Sequence, residues 1–350
     1  MSRRAYGLLV GVAIGMGIVA FITSKSLDEP LRDPDGFLGP AWVRLPAMVV
    51  GAFVIDVLPR SVWRARRTPG RVGAEARAII KEHWTPERMA VVAIGLTAFY
   101  VTYVSYRNLK NGLLIFHQDT KDTMLHDWDK WLMFGNEPAV VMHNVLGESV
   151  SAHVLAFVYL LFLPLAPMSI VAWLVWSRNV TYGYWYVTAN CLCWTLGTAS
   201  YYAIPSLGPA FEAPWLYRDL DHTGVTDLID ALWQGRYSQY WNPFADGVQS
   251  VAGFASLHCA IILCMALVAH FTVRHAIIRW FLWIFYALTF VSTIYFGWHY
   301  LADSIVGSLI AIISVYLGGV ATGQEFDRHG TASHPTTSTA QVPISADEAL

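Results

Sequence analysis

Apolar residues along this chain gather into eight long runs, at about 7–23, 41–58, 89–106, 150–176, 184–204, 251–271, 277–296 and 299–321. Each has roughly the 17 to 25 residues that a helix needs to cross a hydrocarbon core. A backbone in lipid must satisfy its own hydrogen bonds, which a helix does within one segment. The pattern predicts an all-α integral membrane protein with about eight transmembrane helices. Composition agrees: the 350 residues are 55% hydrophobic and only 14% charged, with a mean hydropathy of +0.42. An ordinary soluble domain is excluded, and no nucleic-acid partner is expected.

The placement of positive charge orients the spans. Arg3 and Arg4 precede the first run, and the 59–88 stretch carries Arg60, Arg64, Arg66, Arg67, Arg71, Arg77, Lys81 and Arg88. Arg178, and then Arg274 with Arg279, follow at the alternation expected of cytoplasmic loops. The positive-inside rule puts both termini in the cytoplasm of a plasma membrane protein, and the loops 24–40, 107–149 and 205–250 with the 296–299 turn outside. No Ala-x-Ala-like site follows the first run, so it is read as a retained helix. Cys191, Cys193, Cys259 and Cys264 all fall in apolar runs without zinc or disulfide spacing, which assigns them to packing.

These features divide the chain into an N-terminal transmembrane hairpin (1–58), a basic cytoplasmic linker (59–88), a six-helix catalytic membrane domain (89–321) and a disordered cytoplasmic tail (322–350). The linker contains the breaker Thr68-Pro69-Gly70 and an amphipathic stretch at about 72–84. The tail is polar and rich in Ser, Thr, Pro and Ala. Two outer loops exceed what connection requires. In the first, Asp119, Asp122, His126, Asp127 and Asp129 accompany Leu125, Trp128 and Leu132 at helical spacing, which predicts a short amphipathic helix on the outer leaflet. The second holds Phe211, Trp215, Tyr217, Trp233, Tyr237, Tyr240, Trp241 and Phe244, with helical periodicity over 226–234. A lid over a lipid headgroup and an aromatic belt at the membrane boundary account for it equally well.

The residues that carry chemistry sit at the outer ends of the last spans. His299 and Asp303 form a His-x-x-x-Asp run, and His258 follows Ser256 and Leu257 about two turns into the sixth span. Ionisable residues inside a membrane are functional by default. Four residues along a helix put Asp303 on the face of His299, where it orients the imidazole. His299 is the candidate nucleophile that takes a phosphoryl group, and His258 the candidate general acid that protonates the departing oxygen. Ser256 is a candidate hydrogen-bond donor to a phosphate oxygen, and Arg107 and Lys110 at the outer end of the third span are candidate cationic anchors.

Over about residues 100–320 this set resembles the type 2 phosphatidic acid phosphatase superfamily, whose signature reads Lys-x6-Arg-Pro, Pro-Ser-Gly-His and Ser-Arg-x5-His-x3-Asp. It is most similar to the inositol-phosphorylceramide-synthase-like branch of lipid phosphotransferases. The carriers are Ser256-Leu257-His258, the Arg107-to-Lys110 segment, Asp129 to Gly135 ending in Met133-Phe134-Gly135, and Tyr201 to Pro209. The resemblance implies a six-helix core, a phosphohistidine on His299, Asp303 as its partner, His258 as acid, and Lys110 as first phosphate ligand. It also implies a membrane lipid phosphate as substrate, an inositol, sugar or lipid hydroxyl as acceptor, and neither metal nor cofactor. The chain departs from the signature at His117-Gln118, Ala255, Leu257 and Thr293, while Ser292 fits. Two phosphate-clamping arginines are thereby missing, for which Arg107, Arg218 or Arg236 would compensate. The competing readings are a proton-coupled transporter, a membrane metalloenzyme using His258, His299, Asp303 and the aspartate-rich outer loop, and an inactive scaffold.

Overall fold

The computed structural model describes residues 6–33, 39–116, 119–177, 179–241, 253–325 and 336–337, with side chains omitted at 114–116, 236–241, 325 and 336–337. Helices dominate: α1 (Gly7–Leu27), α2 (Ala41–Arg64), α3 (Val72–His83), α4 (Pro86–Phe116), α5 (Asp122–Leu132), α6 (Pro138–Leu146), α7 (Val150–Trp176), α8 (Val180–Ala203), α9 (Pro209–Glu212), α10 (Gly224–Trp241), α11 (Leu257–Thr272), α12 (Ala276–Tyr295) and α13 (Leu301–Ala321). All eight expected spans appear as helices. Six of them, α1, α2, α4, α7, α12 and α13, are long and apolar enough to cross a membrane. The protein is an all-α integral membrane protein.

The other two spans differ for identifiable reasons. α8 is the central pillar, packed against α1, α4, α7, α11 and α13. It can therefore carry threonines whose hydroxyls return to its own backbone: Thr188 donates to the Tyr184 carbonyl, Thr195 to Cys191 and Thr198 to Trp194. Trp185 Nε1 donates to the Val315 carbonyl of α13 at 2.8 Å. α11 is shorter than the 251–271 run predicts, because residues 253–256 approach it as non-helical chain and Ser256 caps its first turn. His258 consequently lies in the first turn of its helix, not two turns in.

α4 is longer than its apolar core and carries Arg107 and Lys110 within the helix. At its other end Arg88 is buried, donating to the Val175 and Ser177 carbonyls at 2.7 Å each. One basic residue of the linker thus satisfies the exposed carbonyls at the end of α7. α1 lies mainly along α4 and α8, and α2 along α3, α7 and α4. In the tail, Gln324 and Glu325 pair with Thr337 and Thr336. Residues 326–335 and 338–350 of that predicted tail, and the motif departures at His117 and Gln118, lie outside the described residues, as do Arg3, Arg4, Arg178 and Phe244. The side chains of Arg236, Tyr237, Tyr240 and Trp241 lie outside them too.

Candidate active site at two facing helix starts

Two helix beginnings make the site. The segment before α11 presses onto α13 so closely that a Cβ on Gly307 would lie 2.2 Å from the Ser256 carbonyl oxygen. Ser256 N donates to the Asp303 carbonyl at 2.9 Å, which locks the two starts in register. His258 and His299 are thereby brought to ring centres 6.0 Å apart, their planes inclined by 60°.

His299 is not on a helix. A tight turn after α12 presents it: the N–H groups of Trp298 and His299 both donate to the Thr293 carbonyl, at 3.0 and 3.2 Å. Gly297 makes this turn possible with φ +68°, and a Cβ there would meet the Tyr217 ring. Tyr300 is the cap residue of α13, and Asp303 reaches back from the third helical position to accept its N–H at 3.0 Å. The same Asp303 oxygen is 3.4 Å from His299 Nδ1. The expected pairing of His299 with Asp303 is present, but it arises from a capping carboxylate turned toward a pre-helical residue, not from two side chains on one helical face. The other Asp303 oxygen and His299 Nδ1 have no hydrogen-bond partner among the described residues. Both side chains are buried, whereas His258 is half-buried.

His258 is held by α7. Its ring lies 4.4 Å from that of Tyr159 and 4.3 Å from that of Phe162, and Tyr159 in turn stacks on Trp298 at 5.5 Å. This aromatic wall sets the plane of the imidazole. Lys110 enters from α4, its ammonium 5.8 Å above the Tyr106 ring and 5.7 Å from the Tyr201 ring. Arg107 is half-buried beside Lys110, with its Nε buried and without a partner among the described residues. Ser256 is fully buried, and its hydroxyl oxygen accepts the Cys259 N–H at 3.4 Å as a helix cap. Of the arginines proposed to compensate, Arg218 is exposed. Thr293, at the place of a motif arginine, is fully buried and bonded to Ser304 at 3.2 Å, so it braces the turn.

The aspartate-rich segment is helical as expected, but its inward face is acidic. Asp122, Leu125 and Asp129 of α5 turn toward the protein, while Trp131 and Phe134 are 79% and 96% exposed. Asp129 accepts the N–H groups of Leu301 and Ala302 at 2.8 and 3.1 Å. Asp122 accepts from Leu207 N and Gly208 N, and from the Tyr300 hydroxyl at 3.0 Å. Burial pushes the Asp129 carboxyl up to about 6, against the pull of those two N–H groups and of His126, and with a further push from Glu137. A small cavity of about 10 Å³ beside Asp129, Glu137, His299 and Tyr300 has room for about one water. The sequence singles out both carboxylates within the aspartate-rich segment, but not as acceptors for these backbone N–H groups. Their seven-residue spacing, which puts both on one helical face, was the signal available.

A family model described as PAP2 superfamily matches residues 123–317, more than half of the chain. The chain belongs to the PAP2 superfamily. Ser256, His258, His299, Asp303 and Asp129 fall inside the matched segment, and Arg107, Lys110 and Asp122 precede it. No curated protein and no solved structure matches the chain. Membership in PAP2 supports a function of the lipid phosphatase or phosphotransferase type, with a lipid phosphate as the class of substrate. Among the described residues, no group of three or more His, Cys, Asp and Glu side chains is placed to hold a metal ion.

Proposed function

We propose that this PAP2 protein transfers or hydrolyses the phosphoryl group of a membrane lipid through a covalent intermediate on His299. The reading rests on one observation, the approach of the two imidazoles to 6.0 Å between ring centres. His299 Nε2 attacks phosphorus while Asp303 holds the Nδ1 side, and the phosphorus–oxygen bond to the leaving group breaks. His258 gives its proton to the departing oxygen. A water or hydroxyl oxygen then attacks phosphorus, returns a proton to His258 and breaks the nitrogen–phosphorus bond. Lys110, with Arg107 beside it, steadies the phosphate oxygens.

The cation supply favours an inositolphosphotransferase-like reaction on a phosphodiester, with an inositol, sugar or lipid hydroxyl as acceptor. A phosphodiester carries one negative charge, whereas a phosphomonoester approaches two near neutral pH. The buried Thr293 in place of a motif arginine makes a dianion the poorer fit. It is also what an inactive scaffold would show, and one experiment separates the two. The site lies at the Lys110 end of α4, and the basic linker at the Arg88 end, which supports an extracytoplasmic site. The test is to trap a labelled phosphoenzyme from a panel of lipid mono- and diesters, then ask which hydroxyl compounds discharge it. Absence of a phosphoenzyme with every donor would end the enzyme reading.

A further inference from the structure

The loop that carries His299 is held from outside by α5, a helix that contributes nothing to the reacting atoms. A helix start leaves its first N–H groups without partners. In α13 the cap residue is Tyr300, whose hydroxyl points away to Asp122. The Tyr300 N–H goes to Asp303, and the next two, of Leu301 and Ala302, go to Asp129. Asp122 also ties down the 207–208 backbone, and Ala210 N in the same connection donates to the Gly297 carbonyl at 2.8 Å. His299 is therefore bracketed on both sides by contacts that lead back to one helix face. The helix itself is fixed by Glu137, whose carboxylate meets Lys130 at 2.9 Å and His126 at 3.3 Å.

We propose that Asp129, supported by Asp122, is a positioning residue that sets the His299 imidazole against Asp303 for nucleophilic attack. The proposal rests on the phosphohistidine reading for its effect on turnover, but its structural part does not. Losing the Asp129 carboxylate frees the first turn of α13, and the His299 turn shifts away from Asp303. Misplacement of a reacting group by about 1 Å costs on the order of a hundredfold in rate.

The experiment uses the full chain in detergent, as Asp129→Asn and Tyr300→Phe, with the exposed Asp127→Asn as control on the same helix. Modification of each histidine by diethyl pyrocarbonate is followed by peptide mass spectrometry, alongside kcat and KM on whichever donor labels the enzyme. The expected result is faster modification of His299 relative to His258 in Asp129→Asn, a smaller change of the same sign in Tyr300→Phe, and none in the control. With it, kcat falls about a hundredfold while KM stays within about twofold. An unchanged modification ratio in both variants overturns the proposal, and so does an unchanged kcat. If wild-type protein takes no label from any donor, the functional reading fails while the modification ratio still decides the positioning claim.

Discussion

At the scale of the residue, the chemistry turns on which group holds which. His299→Ala is expected to abolish phosphoenzyme formation, a loss of at least about a thousandfold, because no other described group stands where Nε2 does. His258→Ala should slow labelling from donors with poor leaving groups by about 10²–10⁴-fold, and far less from donors with good ones. Equal slowing would remove His258 from the acid role. Asp129 adds a pH signature. Its carboxyl is raised in the folded protein to about 6, above the unfolded value near about 4. The stability linked to it is present in full below the unfolded value and lost as pH rises through the folded one. The melting temperature of wild type should therefore fall relative to Asp129→Asn between about pH 4 and 6, and run parallel to it above. Parallel melting curves throughout would show that the carboxyl is not raised. The His-x-x-x-Asp run and the Ser-x-His run were legible in the sequence. The way Asp303 meets His299 was not, because the spacing alone could not say that the helix begins between them.

At the scale of the element, the site is a crossing of two helix starts, and its weak points are the residues that let them touch. Gly307→Val would drive its Cβ into the Ser256 carbonyl, which is backbone and cannot swing aside. It should separate the α11 and α13 starts, removing phosphoenzyme labelling while leaving the protein in the membrane. Retained labelling would show that the crossing tolerates a shift. Ser256→Ala removes a helix cap, with a loss of about 0.5–2 kcal/mol readable as a lower melting temperature. If Ser256 acts only as a cap, KM is unchanged; a raised KM would give it the phosphate contact read from the motif. α5 teaches a related lesson. Periodicity identified the helix, but the Leu125-Trp128-Leu132 stripe expected to face the membrane does not: Leu125 is buried in the core and Leu132 packs against it. Its inward face carries carboxylates, which burial ordinarily opposes, and only the unsatisfied N–H groups of α13 and of the 207–208 backbone make them welcome there.

At the scale of the whole molecule, α8 stands inside the bundle and the apolar helices surround it. This arrangement explains why α8 does not pass as a span on hydropathy, whereas α11 is apolar but only 16 residues long. A pillar shielded from lipid has no need to be uniformly apolar, provided its hydroxyls and amides return to its own carbonyls. The four cysteines are buried, so the native chain offers a quiet background for labelling. Asp127→Cys should react with a membrane-impermeant maleimide on intact cells, and Arg77→Cys only after permeabilisation. The reverse pattern would invert the proposed topology.

Local sequence sufficed for what local physics controls: the long apolar helices and the residue types able to carry a phosphoryl group. Hydropathy over about 20 residues decides whether a segment enters lipid, and that sum needs no knowledge of neighbours. Where each helix starts, which face turns inward, and which carboxylate holds the His299 loop depended on partners distant in the chain. An N–H at a helix start takes whichever acceptor the packing delivers. Asp129 reaches Leu301 and Ala302 across about 170 residues, a meeting that only the assembled bundle could arrange.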